Sequence, residues 1–311
     1  MKFKGGIHPS YNKLTADSET VSMPLLDRYV VPVSQHIGAP GEIIVEQGQE
    51  VKRGQPLTRP AGFVSVPVHA PTSGKIKKIS EFPHPLGKLQ TGIEIIPDGE
   101  DSWFDEIENR GKWRDLDPAV LKDIIRDAGL VGLGGASFPT HVKLSPPQDK
   151  PIDLLILNGA ECEPYLTSDH RVMLETPRPV MEGIGLMMKV LGVKKAIVGI
   201  ESNKADALES LRKASPAGLN IELQLLETKY PQGSEKHLIY ALTGRKVPAG
   251  GLPMDPGVVV QNVGTARSCF EAVEYGHPLT ERVVTVTGSA INKPANVMVR
   301  VGTPVKDVID F

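Results

Sequence analysis

Apolar positions along the chain fall into three successive patterns. From residue 29 to about 97 they come as short alternating runs separated by turns: YVVPVSQH, GEIIVEQGQEVKRGQPL, FVSVPVHAPTSGKIKKI and TGIEIIP. Alternation with a period of two marks half-buried strands. From 117 to 276, short continuous apolar runs alternate with helical stretches. Asp117-Pro118 reads as an N-cap and first helical residue, with Gly129 as the stop. Thr176-Pro177 opens a second helix that ends near Gly192, and further helices are predicted from 202, from about 234 to 244 and from about 265 to 276. Strands are predicted at 152–157, 196–200, 221–226 and 258–261. Such short, unbroken apolar runs suit strands covered on both faces. The alternation predicts an α/β fold, a Rossmann-like and mostly parallel sheet with helices on both faces. From about 281 a β pattern returns as RVVTVTGSAINKPANVMVRVGTPVKDVI. The expected organisation is an irregular segment at 1–28, a β-sandwich at 29–100, the α/β domain at 101–278 and the start of a small β domain at 279–311.

The spacing V-x-x-G-x-x-V-x-x-G-x-x-L from Val45 to Leu57, followed by APTSGKI, resembles a biotinyl/lipoyl-type β-sandwich. Carrier domains of that type present a lysine on a hairpin about six residues before the VP of the next strand. The corresponding residue here is Ala61. A scaffold or docking role is therefore expected for this region, without a swinging arm.

The chemistry concentrates between Gly129 and Arg171. Gly132, Gly134 and Gly135 stand just before the strand predicted at 152–157, whose C-terminal end delivers Asn158, Glu161 and Glu163. In open α/β sheets ligands bind outside the carboxyl ends of the strands. Glycine there lets backbone N–H groups approach a phosphate or a flat ring. The same three glycines could equally close a plain turn. Glu161 and Glu163 could likewise serve only as favourable charge at the start of a following helix.

Four motifs in order carry a family resemblance. GLGGASFPTHVK at 132–143 resembles the GxGGAGFPTxxK loop of the NADH-binding flavoprotein subunit of respiratory complex I. NGAECEP at 158–164 resembles its NADEGEP, YPQGSE at 230–235 its YxxGEE, and QNVGT at 261–265 its NNVET. The forms GLGGASFPTHVKLSPP and NGAECEPYLTSDHRVMLE, with FKGGIHPSYNKLT and SQHIGAP, are closer to the C subunit of the Rnf complex, an ion-pumping ferredoxin:NAD oxidoreductase. The resemblance covers nearly the whole chain and implies FMN and NAD(H) as cofactors. It places Lys143 as a cation near the flavin or its phosphate, and Asn158 at the isoalloxazine edge. Glu161 and Glu163 would stand near the nicotinamide ribose or amide. Gly233 and Glu235 would lie at a helix start facing the flavin, and Asn262 and Thr265 near the FMN phosphate, where plain N-capping is the alternative. Four family residues are replaced: the loop arginine by Leu133, an aspartate by Ala160, a glutamate by Ser234 and another glutamate by Gly264. Asp169 and Arg171 match a further family motif and are expected as a structural ion pair.

Composition narrows the partners. With 35 basic and 37 acidic residues and 5% aromatics, neither an electrostatic footprint nor a stacking surface for nucleic acid is present. Two cysteines, Cys162 and Cys269, cannot ligate a four-cysteine cluster, and Cys162 is expected as a small packed residue. His141 and His170 have no metal spacing. The resemblance implies that motifs for two [4Fe–4S] clusters lie in sequence beyond these 311 residues. The terminal β pattern resembles the start of a β-grasp-like (SLBB-type) domain. No signal peptide or membrane span is visible in the sequence. The expected setting is the cytoplasmic face of the cell membrane, held peripherally by other membrane subunits of the complex. Hydride transfer between NAD(H) and flavin demands no catalytic base or nucleophile. Two alternatives remain at this level: a cobalamin-reducing flavoprotein of bacterial microcompartments, and a non-catalytic docking fragment.

Overall fold

The computed structural model describes residues 3–106 and 111–311; the stretch of the expected α/β domain at 107–110 and residues 1–2 lie outside them. The first strand, β1 (Val21–Ser22), follows an extended N-terminal segment. Strands β2 (Tyr29–Pro32), β3 (Glu42–Ile43), β4 (Glu50–Val51), β5 (Thr58–Arg59), β6 (Gly74–Pro83) and β7 (Leu89–Pro97) build the β-sandwich. They pair as an antiparallel sheet β2-β7-β6-β4 and a short β3–β5 ladder. Val31, Val51, Leu57, Val68, Ile76, Ile93 and Ile95 fill its core. At the position where carriers hold a lysine, the Ala61 N–H donates to Ser65 Oγ at 3.1 Å.

The α/β domain runs through α1 (Pro118–Asp127), α2 (Thr140–Lys143), β8 (Leu154–Gly159), α3 (Ser168–Glu175), α4 (Pro177–Leu191), β9 (Ala196–Glu201), α5 (Ala205–Lys213), β10 (Ile221–Leu226), α6 (Glu235–Thr243), β11 (Val258–Asn262) and α7 (Val263–Glu274). Its strands are all parallel in the order β10-β9-β8-β11. Both faces carry helices, but unequally. One face packs α1, α3, α4, α5 and α7 around Leu155, Leu157, Val198 and Ile200. The other packs α6 and Phe3 onto Leu154, Ile156, Ile197 and Val260.

Neither Asp117 nor Thr176 makes a side-chain cap bond. A cap stabilises by about 1 kcal/mol, whereas each fully buried aliphatic side chain stabilises by about 1.5–3 kcal/mol. Leu121 and Ile125 of α1, and Val180, Ile184 and Met187 of α4, are fully buried, so packing rather than capping holds these helices. Close approach fixes α4 on α7. A Cβ at Gly183 would fall 1.9 Å from the Ala266 carbonyl oxygen, so only glycine permits this contact.

The structure corrects two expectations in detail. The strand predicted at 152–157 forms as Leu154–Gly159, because Asp153 is held outside it by Arg245 at 2.5 and 2.7 Å. A separate helix, α3, precedes the one predicted from 177; Thr176 Oγ1 donates to the Val172 carbonyl across their junction.

The last β pattern forms β12 (Glu281–Val286) and β13 (Ala295–Arg300), followed by α8 (Val305–Asp310). β1 joins them parallel to β13, giving the order β1-β13-β12. The N-terminal segment lacks regular structure but is tied down along its length. Ile7 exchanges both backbone bonds with Tyr230, and Tyr11 donates to the Thr228 carbonyl at 2.9 Å. Lys13 Nζ donates to the carbonyls of Glu161, Glu163 and Leu166 at 2.8, 2.9 and 2.5 Å. Thr15, Thr167, Thr285 and Asn296 then form a polar knot between this segment, the α/β domain and the terminal sheet.

Asn296 has no exposed surface and accepts from Thr167 and Thr285 while donating to the Thr15 carbonyl. Asn296→Ala leaves those buried groups unpartnered and is expected to lower unfolding stability by about 2–3 kcal/mol. Urea denaturation measures this; a change below about 0.5 kcal/mol would show that the knot does not hold the three regions together.

Candidate functional site

The chain leaves β8, builds β9 and β10 on one side, and returns as β11 on the other side of β8. The chain leaves β8 through a loop to α3 whereas β11 runs straight into α7, and a crevice opens over the C-terminal ends of the two strands, between the glycine loop and the segment that leads into α6. Asn158 and Asn262 face each other in register there. A cleft of about 290 Å3 occupies this point.

Of the residues singled out from sequence, Gly132, Gly134, Lys143, Asn158, Glu163, Gly233, Glu235 and Asn262 line the cleft. Phe138 and Tyr230 add apolar walls. Lys143 Nζ meets Glu235 Oε1 at 2.7 Å, so α2 and the start of α6 are joined at the rim. Asn158 Nδ2 donates to the Gly233 carbonyl at 2.7 Å, and its Oδ1 accepts from the Ala160 N–H at 3.2 Å. The end of β8 is thereby braced against the segment that leads into α6.

Gly135, Glu161 and Thr265 are not among the lining residues. Gly135 belongs to the exposed loop and has φ +120°, a backbone state that favours glycine. Thr265 is fully buried; its Oγ1 accepts from the Leu133 N–H at 2.9 Å and ties the glycine loop to α7. Asn262 caps α7, accepting from Gly264 and Thr265 N–H groups at 2.8 and 3.2 Å. Glu161 is buried at the start of α3, where its carboxylate accepts from Ser168 Oγ and the N–H groups of Asp169 and His170 at 3.2, 2.7 and 3.2 Å. The helix-start alternative describes Glu161; Glu163 is the one that reaches the cleft.

Buried lysines set this loop from behind. Lys204 Nζ donates to the Ala160 carbonyl at 2.7 Å and meets Glu201 at 3.2 Å, with both side chains closed to solvent. Desolvation raises the Glu201 carboxyl above its ordinary value, and Lys204 offsets part of that. Cys162 is packed beneath, where its Sγ accepts from the Gly233 N–H at 3.2 Å and burial pushes its thiol up to about 11. It is thus a poor thiolate.

The expected Asp169–Arg171 pair does not form. Side chains two apart on a helix point away from each other. Arg171 turns to Glu175 at 2.8 Å and to the Ala16 carbonyl. Asp169 Oδ2 instead accepts from Asn262 Nδ2 at 2.6 Å. His170 meets Asp206 at 2.9 Å, and His141 meets the Phe63 carbonyl at 2.8 Å.

Two observations fit the cleft to a flat, anionic cofactor such as FMN. A Cβ at Gly134 would stand 3.3 Å from Asn262 Cβ, filling space the loop leaves open. Gln261, which lies within the QNVGT match but is not distinguished there by charge or spacing, lines the cleft with only 2% of its surface exposed. Its Nε2 has no hydrogen-bond partner among the described residues. A buried donor without an acceptor costs stability, and an acceptor on a ligand in the cleft would satisfy it. The N-termini of α6 and α7 flank the same cleft.

Burial first, and the Glu161 charge second, push the Asp169 carboxyl from 3.8 up to about 7. The native state then holds a proton that the unfolded chain releases near pH 4. Its contribution to stability is present below about pH 4 and is lost as pH rises toward 7. Asp169→Asn cannot titrate. Its thermal midpoint relative to the unaltered chain is expected to rise between about pH 5 and about pH 7.5; a constant or falling difference would contradict the raised carboxyl.

Known proteins share this architecture. Residues 1–100 match the RnfC barrel sandwich hybrid domain, and residues 125–271 match the Nuo51 FMN-binding domain. The chain is 51% identical over 311 residues to the C subunit of the proton-translocating ferredoxin:NAD(+) oxidoreductase complex of Clostridium ljungdahlii, covering 99% of this chain and 68% of that protein. It is 48% identical over 313 residues to the Na(+)-translocating counterpart of Acetobacterium woodii, covering 99% and 70%. Among solved structures, the NAD+-reducing [NiFe]-hydrogenase in its H2-reduced state superposes with a TM-score of 0.56 at 24% identity, over 67% of this chain and 42% of that one. That likeness establishes the fold, and the chain spans about two fifths of the solved chain. Sandwich, parallel-sheet domain and the identity over 99% of this chain agree: the chain belongs to the C subunits of ion-translocating ferredoxin:NAD+ oxidoreductase (Rnf) complexes and carries a Nuo51-type FMN-binding domain.

Proposed function

We propose that the cleft over the C-terminal ends of β8 and β11 holds FMN non-covalently and exchanges reducing equivalents with NAD(H). The observation that carries this is the buried, unpartnered Gln261 amide beside an open glycine loop at the sheet's switch point. Bound FMN supplies the conversion between two-electron hydride transfer and single-electron delivery. The chain's own groups bind and orient. The backbone N–H groups of Gly134 and Gly135 and the start of α6 at Glu235 suit the phosphate and the electron-rich ring edge. Lys143 adds a positive charge once its pair with Glu235 opens. Asn158 and Gln261 offer amide groups to the ring edge, and Phe138 and Tyr230 exclude water.

Glu163 stands at the rim as the acidic residue nearest an incoming nucleotide ribose. The iron–sulfur centres that take up single electrons lie, on this reading, outside these residues, since Cys162 and Cys269 are both buried and cannot complete a cysteine-ligated cluster. The chain then works peripherally at the cytoplasmic face of the cell membrane, held by membrane subunits of the complex. In accord with this, no helix among the described residues is long and apolar enough to cross a bilayer.

Reconstitution with FMN followed by gel filtration is expected to leave about one flavin on each folded chain. Gln261→Leu removes a buried amide donor that has no hydrogen-bond partner among the described residues. FMN affinity is expected to fall about tenfold while the cofactor-free protein keeps or gains stability. No flavin retained by the unaltered chain, or equal FMN affinity in the variant, would count against this placement.

NADH is expected to reduce the bound flavin faster than NADPH, because Glu163 repels the extra phosphate. Glu163→Gln should narrow the ratio. A preference for NADPH, or a ratio indifferent to the substitution, would remove Glu163 from the nucleotide site.

A further inference from the structure

We infer that Asp169 is a positioning residue for the flavin cradle, acting through Asn262. The inference rests on the FMN reading of the cleft. Asn262 is 8% exposed and uses both ends of its carboxamide. Oδ1 accepts from the Gly264 and Thr265 N–H groups at 2.8 and 3.2 Å, and Nδ2 donates to Asp169 Oδ2 at 2.6 Å. An Asp169 oxygen can accept in either protonation state, so it secures the donor end of the amide while the start of α7 secures the other.

What Asn262 holds is the cradle. Its Cβ backs Gly134, and the neighbouring Thr265 accepts from the Leu133 N–H at 2.9 Å. Asp169 is in turn fixed from the opposite loop, because its own N–H donates to Glu161 Oε1 at 2.7 Å. A continuous path thus runs from the loop after β8, through the first turn of α3, to the glycine loop. The second carboxylate oxygen of Asp169 faces Gly264, 3.6 Å from where a Cβ would stand. Asp169 lies close to Glu161, and its bond to Asn262 holds the carboxyl in that place.

The test uses the full chain. FMN binding is titrated by flavin fluorescence for Asp169→Ala, Asp169→Asn, Asn262→Ala and the Asp169→Ala/Asn262→Ala pair. Asp169→Ala is expected to weaken FMN about tenfold. Asp169→Asn keeps an oxygen acceptor and should restore binding to within about threefold of the unaltered chain. In the Asn262→Ala background, Asp169→Ala should add nothing further. Equal losses with and without Asn262, or no loss at all, would overturn the relay. Should Asp169→Ala not fold, Asp169→Ser, too short to reach Asn262, takes its place. Amide exchange in the cofactor-free protein reads the same path without flavin. Leu133, Gly264 and Thr265 N–H groups should exchange faster in Asp169→Ala and recover in Asp169→Asn. Unchanged exchange overturns the inference whether or not FMN binds, whereas absent binding by the unaltered chain strikes only the FMN reading.

Discussion

The site depends on the parallel pairing of β8 with β11. That pairing sets Asn158 beside Asn262 at the C-terminal edge of the sheet. Tight hydrogen-bonded strands cannot themselves form a pocket; the glycine loop and the segment before α6, standing over the two strand ends, do. Its precision comes from the packed face below. α4 touches α7 where Gly183 has no side chain, and this contact fixes the N-terminus of α7, where Asn262 and Thr265 act. A fault in the helical layer would therefore reach the cleft without touching any residue that lines it.

The exit loop after β8 is held by charge instead of apolar packing. Lys13 and Lys204 together receive the carbonyls of Ala160, Glu161, Glu163 and Leu166. Loop carbonyls near a sheet edge lack ladder partners, and ammonium groups with several donors satisfy many at once. Lys13 comes from the N-terminal segment, so that segment helps to shape the site although Lys13 does not line it. Desolvation lowers the Lys13 pKa, the expected direction for an ammonium withdrawn from water. The neighbouring Glu161 charge acts against that shift.

Much of this is legible in the sequence. The four strands of the α/β sheet and the helices between them follow from short apolar runs with glycine stops, and those runs survive in the structure with shifts of one or two residues. The cleft residues of the glycine loop and of the helix starts are visible because glycine, asparagine and acidic residues at strand ends carry a specific chemical meaning. Four things are not legible. Glu161 and Glu163 are alike in type and two apart, and only the backbone path decides which one turns under α3. Gln261 has no charge, and its importance lies in a partner that is missing, which sequence does not show. Asp169 and Arg171 are close in the chain, which suggests a pair, yet helix geometry sends the two apart and leaves Asp169 to a residue 93 positions away. The use of β1 to extend the terminal sheet is likewise hidden, since a two-residue strand has no periodicity to read.

The central claim concerns a place, the switch-point cleft, and the most direct measurement is an experimental structure of the chain with FMN. The account predicts flavin over the C-terminal ends of β8 and β11, between the glycine loop and the segment before α6, with its polar edge within hydrogen-bond distance of Gln261 Nε2 and the Lys143–Glu235 contact opened. Flavin seated instead in the larger groove of about 590 Å3 between α1 and the loop carrying Gly62 and Phe63, with the switch-point cleft unchanged, would contradict it.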